Sequence, residues 1–146
     1  MNKATIDEAY MKIALKSAKL SFESGEVPIG CVIVDQGVIV AEGHNCCEEK
    51  QSQLFHAEIV ALRKTQDIVL VDPTIYITHE PCPMCLGAIH ERGIKNIVYG
   101  ADEPRWGTLG SVVDLSFDLS INVQRHVLQQ ECINIIKDFF RLRRLK

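Results

Sequence analysis

The sequence predicts an α/β fold in which helices cover a central sheet. Segments with apolar residues at helical spacing alternate with short runs of β-branched residues, and this alternation is typical of a sheet covered by helices. The 146 residues, 47% hydrophobic and 24% charged, are enough to bury a sizeable core. No repeat, low-complexity tract or flexible linker divides them. We therefore expect one domain over residues 1–146.

The first part of the chain predicts a helix followed by a β-hairpin. Apolar residues recur at helical spacing over about 6–24, and Gly25 is well placed to end that helix. The segments IGCVIVD (29–35) and VIVAE (38–42) flank a Gln-Gly pair and predict two antiparallel strands. The polar residues 43–53 are expected to form a loop.

The rest of the chain alternates between helix and strand. The predicted elements are a helix opening at His56, a strand at 74–78, a helix opening near Pro81 and Cys82, a strand at 96–100, a loop at 101–111 and a helix at about 128–144. The last helix has one apolar face.

Composition restricts the classes of function. A formal net charge of −3 argues against a globally basic nucleic-acid binder, although it permits a local basic patch. The N-terminal residues include acidic side chains and four lysines, so we expect neither a signal peptide nor a transit peptide. No apolar run is long enough to span a membrane, and a cytoplasmic location is expected. Six cysteines without a secretion signal favour metal binding or catalysis over disulfides.

Four residues suggest a catalytic metal site. Cys82 and Cys85 have CxxC spacing, which places both sulfurs on one side of a helix's first turn, where free N–H groups favour thiolates. The spacing alone also occurs in redox pairs and structural zinc sites. His56 would add a third ligand and leave a position for water, as in catalytic zinc sites. Glu58 would be the acid/base, provided that His56 lies where loop becomes helix, because residues two apart in a helix face opposite sides.

Each of these residues also has a purely structural interpretation. A buried histidine is commonly a core residue whose ring nitrogens are hydrogen-bonded. A glutamate in a first helical turn commonly complements the helix dipole. The combined order H-x-E, a gap, then P-C-x-x-C is much rarer, and it is the signature of zinc nucleobase deaminases.

On this motif the chain resembles the cytidine deaminase-like superfamily. Within the superfamily it is most similar to the bacterial tRNA-specific adenosine deaminases, through GEVPIGCVIV (25–34), GHN (43–45), HAEIVALR (56–63), EPCPMCLGAI (80–89) and ECINIIKDFFRLRR (131–144). The resemblance implies a three-layer α/β/α fold with helices on both faces of a mixed five-stranded sheet. It also implies hydrolytic deamination of the wobble adenosine of a tRNA anticodon to inosine.

The resemblance assigns roles to particular residues. Glu58 would carry protons between a zinc-activated water and the adenine ring. Asn45 matches the position that hydrogen-bonds the flipped nucleotide, although an asparagine at a strand end is usually a turn residue. Ile29 matches an apolar wall of the base pocket. One Zn²⁺ per chain would be held by His56, Cys82 and Cys85. The implied partners are the tRNA anticodon arm and a second copy of the chain in a homodimer.

Two groups of side chains are candidates for RNA contacts. Arg105 and Trp106 would offer a cation and a stacking surface, although a single tryptophan is more commonly part of the core or of an interface. The basic residues of the last helix are Lys137, Arg141, Arg143 and Arg144, with Lys146 beside them. A run of charges of this kind also occurs on ordinary solvated helix faces.

The chain departs from the bacterial deaminases at several positions. SQLF (52–55) replaces the common Asp-Pro-Thr-Ala, so that bulkier residues, including Phe55, lie at the entrance and a hydroxyl able to cap the helix is lost. Glu103 replaces an aspartate, His79 replaces an apolar residue, and Arg92 lies one position early. The segment EPCPMCLGAI is equally similar to guanine deaminases, so a free nucleobase deaminase is one alternative function. A non-catalytic, zinc-stabilised RNA-binding or partner subunit is another.

Overall fold

The computed structural model describes residues 2–145, and its elements follow the predicted order. They are α1 (Lys3–Glu23), β1 (Gly30–Asp35), β2 (Val38–His44), α2 (Cys47–Lys50), α3 (Ala57–Arg63), β3 (Pro73–His79), α4 (Pro83–Glu91), β4 (Asn96–Ala101), β5 (Asn122–Gln124) and α5 (Gln129–Arg144). The strands lie in the order β2-β1-β3-β4-β5. β1 is antiparallel to β2 and β3, whereas β3, β4 and β5 run parallel. The predicted mixed five-stranded sheet is confirmed.

Helices cover both faces of this sheet, as the three-layer fold requires. Successive side chains of a strand point to opposite faces. On β1, Cys31 and Ile33 therefore pack in the core beneath α3 and α4, whereas Val32 and Val34 pack in the core beneath α1 and α5. All six residues of β1 are buried, which explains why its sequence is a continuous apolar run rather than an alternating one.

α1 begins three residues before the predicted start at residue 6. The reason is Asn2, whose side-chain oxygen accepts a hydrogen bond of 2.9 Å from the N–H of Thr5 and caps the helix. Gly25 has a φ of 77° and follows the helix end, as predicted. A Cβ atom at Gly30 would overlap the backbone of Ala14, so α1 lies directly against β1.

The predicted loop at 43–53 is wrong in two places. β2 continues to His44, and α2 forms within the polar segment. The signal for α2 is not local: the buried carboxylate of Glu26 accepts hydrogen bonds from the N–H groups of Glu48 (2.9 Å) and Glu49 (3.2 Å). A side chain 22 residues before Glu48 therefore supplies the acceptors that the start of this short helix needs.

The second half agrees with prediction to within two residues at most boundaries. Ala101 belongs to β4 rather than to the loop, and α5 begins at Gln129. β5 was not predicted from the residues, because it has three residues of which two are exposed. Among residues 2–145, no helix is both long and apolar enough to cross a membrane.

Arg92 connects the C-terminal ends of α3 and α4. Its Nη2 donates to the carbonyl oxygens of Thr65 (2.7 Å) and Ile68 (2.6 Å), and its Nε donates to the Thr65 hydroxyl (3.2 Å). The arginine that the sequence places one position early is therefore a structural link between the two helices of one layer.

Candidate metal centre and active site

His56 lies at the junction of loop and helix that its spacing from Glu58 requires. It precedes the first residue of α3 and has extended backbone angles, φ −68° and ψ 157°. Glu58 belongs to the first turn of the helix and is buried. The change from extended to helical backbone between them brings two side chains to one site, although a regular helix would direct them to opposite sides.

Cys82 has the same place at the start of α4. Its backbone is extended (φ −76°, ψ 171°), and Pro83 is the first helical residue, a position that suits proline because no N–H is needed there. Cys85 follows in the first turn and is fully buried. The N-terminal ends of α3 and α4 thus carry one histidine and two cysteines toward each other.

The separations among these three side chains fit a tetrahedral zinc site. His56 Nδ1 lies 3.7 Å from Cys82 Sγ and 3.4 Å from Cys85 Sγ, and all three atoms are within 4.8 Å of one another. Zinc bonds of about 2.3 Å to sulfur and about 2.0 Å to nitrogen give nitrogen–sulfur edges of roughly 3.6 Å in a tetrahedron. Within residues 2–145 this is the one group of three or more ligand-type side chains so arranged.

The charges in the cluster favour a cation. Hydrogen bonds from Cys85 and His56 lower the pKa of the Cys82 thiol to about 4. The hydrogen bond with Cys82 also raises the pKa of His56, while donation to Cys82, together with burial, raises the pKa of Cys85. Without a metal, these groups share protons. A divalent cation would replace those protons and allow both sulfurs to be thiolates.

Glu58 lies beside the ligand atoms but is not one of them. Burial raises the pKa of its carboxyl group, and the thiolate of Cys82 acts in the same direction. A carboxyl group whose pKa is raised toward neutrality is suited to accept a proton and to return it.

Asn45 and Ile29 lie next to the start of α3. Asn45 N donates to Ile29 O (3.1 Å), and Asn45 Oδ1 accepts from Ala57 N (2.8 Å). Ile29 is partly buried against the core beneath α3 and α4. Asn45 thus caps α3 from 12 residues away. The helix therefore does not need the capping hydroxyl that SQLF (52–55) lacks. The side-chain amide nitrogen of Asn45 donates no hydrogen bond to any residue between 2 and 145.

Phe55, the bulky residue directly before His56, is held by its surroundings. Its carbonyl oxygen accepts from Cys46 N (3.1 Å), and the guanidinium of Arg63 lies 5.2 Å from its ring centre. The bond to Cys46 connects the segment after Asn45 to the residue before His56. The ring and Arg63 together form part of the surface at this end of α3.

Glu80 is a site residue that the sequence analysis missed. It is 2% exposed and accepts from Glu103 N (3.0 Å), Leu109 N (2.9 Å), Ser111 N (3.2 Å) and the Ser111 hydroxyl. The loop after β4 is therefore tied to the junction between β3 and Cys82. The sequence signal that could have identified Glu80 is its place as a charged residue between an apolar strand and a proline.

The RNA-contact candidates fall into two places. Arg105 and Trp106 are exposed in the loop that Glu80 holds beside Cys82. α5 lies on the opposite face of the sheet from α3 and α4, so its basic side chains do not join the metal ligands. The end of α5 reaches Phe22 of α1, whose ring is 5.7 Å from that of Phe139. The exposed basic residues on this helix are Lys137, Arg141, Arg143 and Arg144; Lys146 lies outside the described residues.

Two of these arginines have partners within α5. Arg141 lies 3.6 Å from Asp138, and the guanidinium of Arg143 lies 5.3 Å from the ring centre of Phe139. Both remain exposed, and contacts of this kind at an exposed site contribute little to stability.

Residues 4–101 match the family model for the cytidine and deoxycytidylate deaminase zinc-binding region. The match includes every residue of the metal cluster and Glu58. Among individual proteins, the chain is 39% identical to the tRNA-specific adenosine deaminase of Bacillus subtilis, over 97% of this chain and 93% of that protein.

Solved structures show the same similarity. A structure from work on A-to-I editing by tRNA:A34 deaminases at the wobble position of transfer RNA has a TM-score of 0.79 and 30% identity, over 87% of this chain and 98% of that one. A guanine deaminase from Bacillus subtilis has 35% identity but a TM-score of 0.60, over 70% of this chain and 66% of that one.

Proposed function

Because this chain belongs to the cytidine and deoxycytidylate deaminase family, a family with a zinc-binding region, we propose that it hydrolytically deaminates adenosine to inosine at the wobble position of a tRNA anticodon. Its 39% identity to tRNA-specific adenosine deaminases, over 90% and 97% of this chain, supports this substrate. The observation that carries the chemistry is the convergence of His56, Cys82 and Cys85 beside the buried Glu58. We further propose that residues 1–146 form a single deaminase domain.

The proposed cofactor is one zinc ion per chain, held by His56, Cys82 and Cys85. When bound, zinc supplies a Lewis acid that lowers the pKa of a coordinated water toward about 7. Three protein ligands are characteristic of catalytic rather than structural zinc sites. The positive ends of α3 and α4, both directed at the cluster, stabilise the two thiolates.

Glu58 is the proposed proton carrier. It takes one proton from the attacking water and delivers it to N1 of the adenine ring, and it then moves the second proton of that water to the amino group, which departs as ammonia. Asn45 is proposed to donate a hydrogen bond from its amide nitrogen to the flipped nucleotide, because its oxygen is already occupied by Ala57 N. Ile29 is proposed to form an apolar wall of the base pocket.

The proposed RNA partner is the anticodon arm, in which unstacked bases are accessible without opening a duplex. Arg105 and Trp106 lie in the loop held beside Cys82, so they are proposed to contact the nucleotides that flank the target. The basic side chains of α5 are proposed to contact phosphates farther from the pocket. A homodimer and a cytoplasmic location complete the proposal.

The test is the conversion of an anticodon stem-loop with a wobble adenosine by the zinc-loaded protein. We expect inosine in the product RNA, no turnover of the same loop with wobble guanosine, and no turnover of free guanine. Turnover of free guanine without inosine would favour the guanine deaminase alternative, which the similarity over 70% of the chain brings into consideration. RNA binding without any turnover would favour the non-catalytic subunit.

Glu58→Ala separates catalysis from metal binding. We expect this variant to retain zinc and to lose nearly all deamination, because general acid–base groups contribute roughly 10² to 10⁴ in rate. The comparison variant His56→Ala removes a ligand and should lose zinc as well as activity. Elemental analysis gives the metal content, and inosine formation gives the rate. Wild-type activity in Glu58→Ala would exclude the proposed proton carrier.

A further inference from the structure

Two side chains at the ends of β3 and β4 form one contact in the structure. His79 is the last residue of β3, and Glu103 is the second residue after β4. Nε2 of His79 lies 2.8 Å from Oε2 of Glu103, and the side chains are only 14% and 16% exposed. The contact is therefore largely shielded from water.

Glu103 in turn fixes the conformation of the loop after β4. Its second carboxylate oxygen accepts from Arg105 N (2.9 Å) and lies 3.8 Å from Arg105 Nε. Its backbone N–H donates to Glu80 (3.0 Å), and its carbonyl oxygen accepts from Gly107 N (2.9 Å). A Cβ atom at Gly107 would lie 2.5 Å from that carbonyl oxygen and from the Glu80 carboxyl group, so the loop closes tightly around Glu103.

The hydrogen bond from His79 is the largest cause of a lowered pKa at Glu103, which falls to about 2. The contact therefore favours the ionised carboxylate. Because one of its oxygens meets His79 and the other accepts from Arg105 N, the geometry connects His79 to the backbone of Arg105.

The two ring nitrogens of His79 differ in their surroundings. Nδ1 is the one buried side-chain nitrogen or oxygen among residues 2–145 that has no hydrogen-bond partner. A buried polar atom without a partner disfavours the folded state. Nε2 makes the contact with Glu103, which is therefore the polar interaction that the histidine contributes.

We propose that His79 is a positioning residue, which acts through Glu103 to hold the loop at 102–107 so that Arg105 and Trp106 meet the RNA beside the pocket. The inference rests on the proposed function for its substrate. Its structural part, the ordering of the loop by His79, does not depend on that function.

The test compares His79→Leu, Glu103→Asp and the double variant with the wild type. Trp106 is the only tryptophan of the chain and is 61% exposed, so its fluorescence anisotropy reports the order of this loop without RNA. We expect His79→Leu to lower the anisotropy and to raise KM for the stem-loop about tenfold, the effect of losing one charge-assisted hydrogen bond. The kcat and the zinc content should not fall. Glu103→Asp should add nothing in the His79→Leu background.

Two further variants make the test specific. His79→Gln retains a donor for Glu103 and should restore most of the KM and of the anisotropy. The matched control is His126→Asn, which removes a histidine–carboxylate contact of 2.9 Å to Asp102 at the start of the same loop, with both side chains 44% exposed. Asparagine tolerates the positive φ of His126, 65°, and an exposed pair contributes little. This control should behave as wild type.

The outcomes distinguish a failure of the His79 inference from a failure of the proposed function. Unchanged anisotropy and KM in His79→Leu would overturn the inference, and so would a lower melting temperature with kcat and zinc falling together. If the wild type converts no stem-loop, the proposed function fails, but the anisotropy still decides whether His79 orders the loop. Additive KM effects in the double variant would show that the two residues act separately and would also overturn it.

Discussion

Replacing Glu80 with glutamine should destabilise the protein, although the two side chains have nearly the same shape. Each carboxylate oxygen of Glu80 accepts two hydrogen bonds, one pair from Glu103 N and the Ser111 hydroxyl, the other from Leu109 N and Ser111 N. A glutamine keeps one oxygen. If its NH₂ group faces Leu109 N and Ser111 N, two hydrogen bonds are lost. If it faces Glu103 N and the Ser111 hydroxyl, the hydroxyl can turn to accept from it, and only the bond from Glu103 N is lost. We expect the second orientation.

The magnitude follows from these hydrogen bonds. A hydrogen bond to a charged group contributes about 1.5 to 3 kcal/mol, and at least one is lost. A neutral amide costs less to bury than a carboxylate, so we expect the lower end, about 1.5 kcal/mol. For a chain of this size that corresponds to a fall of roughly 3 to 6 °C in melting temperature.

The assay is urea unfolding of the zinc-loaded proteins followed by circular dichroism, with Glu91→Gln as the matched control. Glu91 is exposed in the last turn of α4, and the same chemical change there should alter the unfolding free energy by less than about 0.5 kcal/mol. A decrease of less than about 1 kcal/mol in Glu80→Gln, below the effect of even one such hydrogen bond, would refute the view that this carboxylate holds the loop to the metal-binding junction.

Three other predictions concern the substrate pocket, pH and salt. Asn45→Ala removes the cap of α3 and should lower the unfolding free energy by about 1 kcal/mol while raising KM for the stem-loop; an unchanged KM would limit Asn45 to capping. Because the pKa of Glu103 falls from 4.5 to about 2 on folding, its carboxylate stabilises the protein above about pH 4.5, and this contribution disappears as the pH falls toward 2. The difference in unfolding free energy between the wild type and Glu103→Gln should therefore shrink over that range, and a pH-independent difference would contradict the assignment. Replacing Arg141, Arg143 and Arg144 with glutamine should reduce the salt slope of RNA binding by roughly 0.7 to 0.9 for each phosphate that is no longer neutralised, whereas an unchanged slope would mean that these side chains are only solvated.

The fold was predictable where the signals are local. β1 and β2 are rich in β-branched residues, and the turn between them has positive φ at Gln36 (53°) and Gly37 (76°), as the favoured two-residue hairpin turns require. β5 was not predictable from its residues, because its three residues have no alternation of their own and depend on pairing with β4. α2 depends on Glu26 in the same way. Elements of three or four residues are specified by distant partners rather than by their own pattern.

The residues of the candidate site were likewise predictable where the signal is local and not where it depends on distant partners. The convergence of His56, Glu58, Cys82 and Cys85 was predictable because the combined order H-x-E, a gap, then P-C-x-x-C is rare and each half of it lies at the start of a predicted helix. Glu80 was not found, because a position between an apolar strand and a proline does not by itself distinguish a buried acceptor of four hydrogen bonds from a solvated glutamate. The role of Asn45 as a cap could not be seen either, since its partner Ala57 is 12 residues away and close only after β2 has paired.

Helices α3 and α4 are joined at both of their ends, and this affects how the metal is gained and released. The proposed zinc connects the N-terminal ends, and Arg92 connects the opposite ends through Thr65 and Ile68. We therefore expect removal of the ion to free one end of the layer while the other keeps the two helices in register. Any opening should be local to the first turns rather than a collapse of the domain. An emptied chain should then be reloaded without refolding.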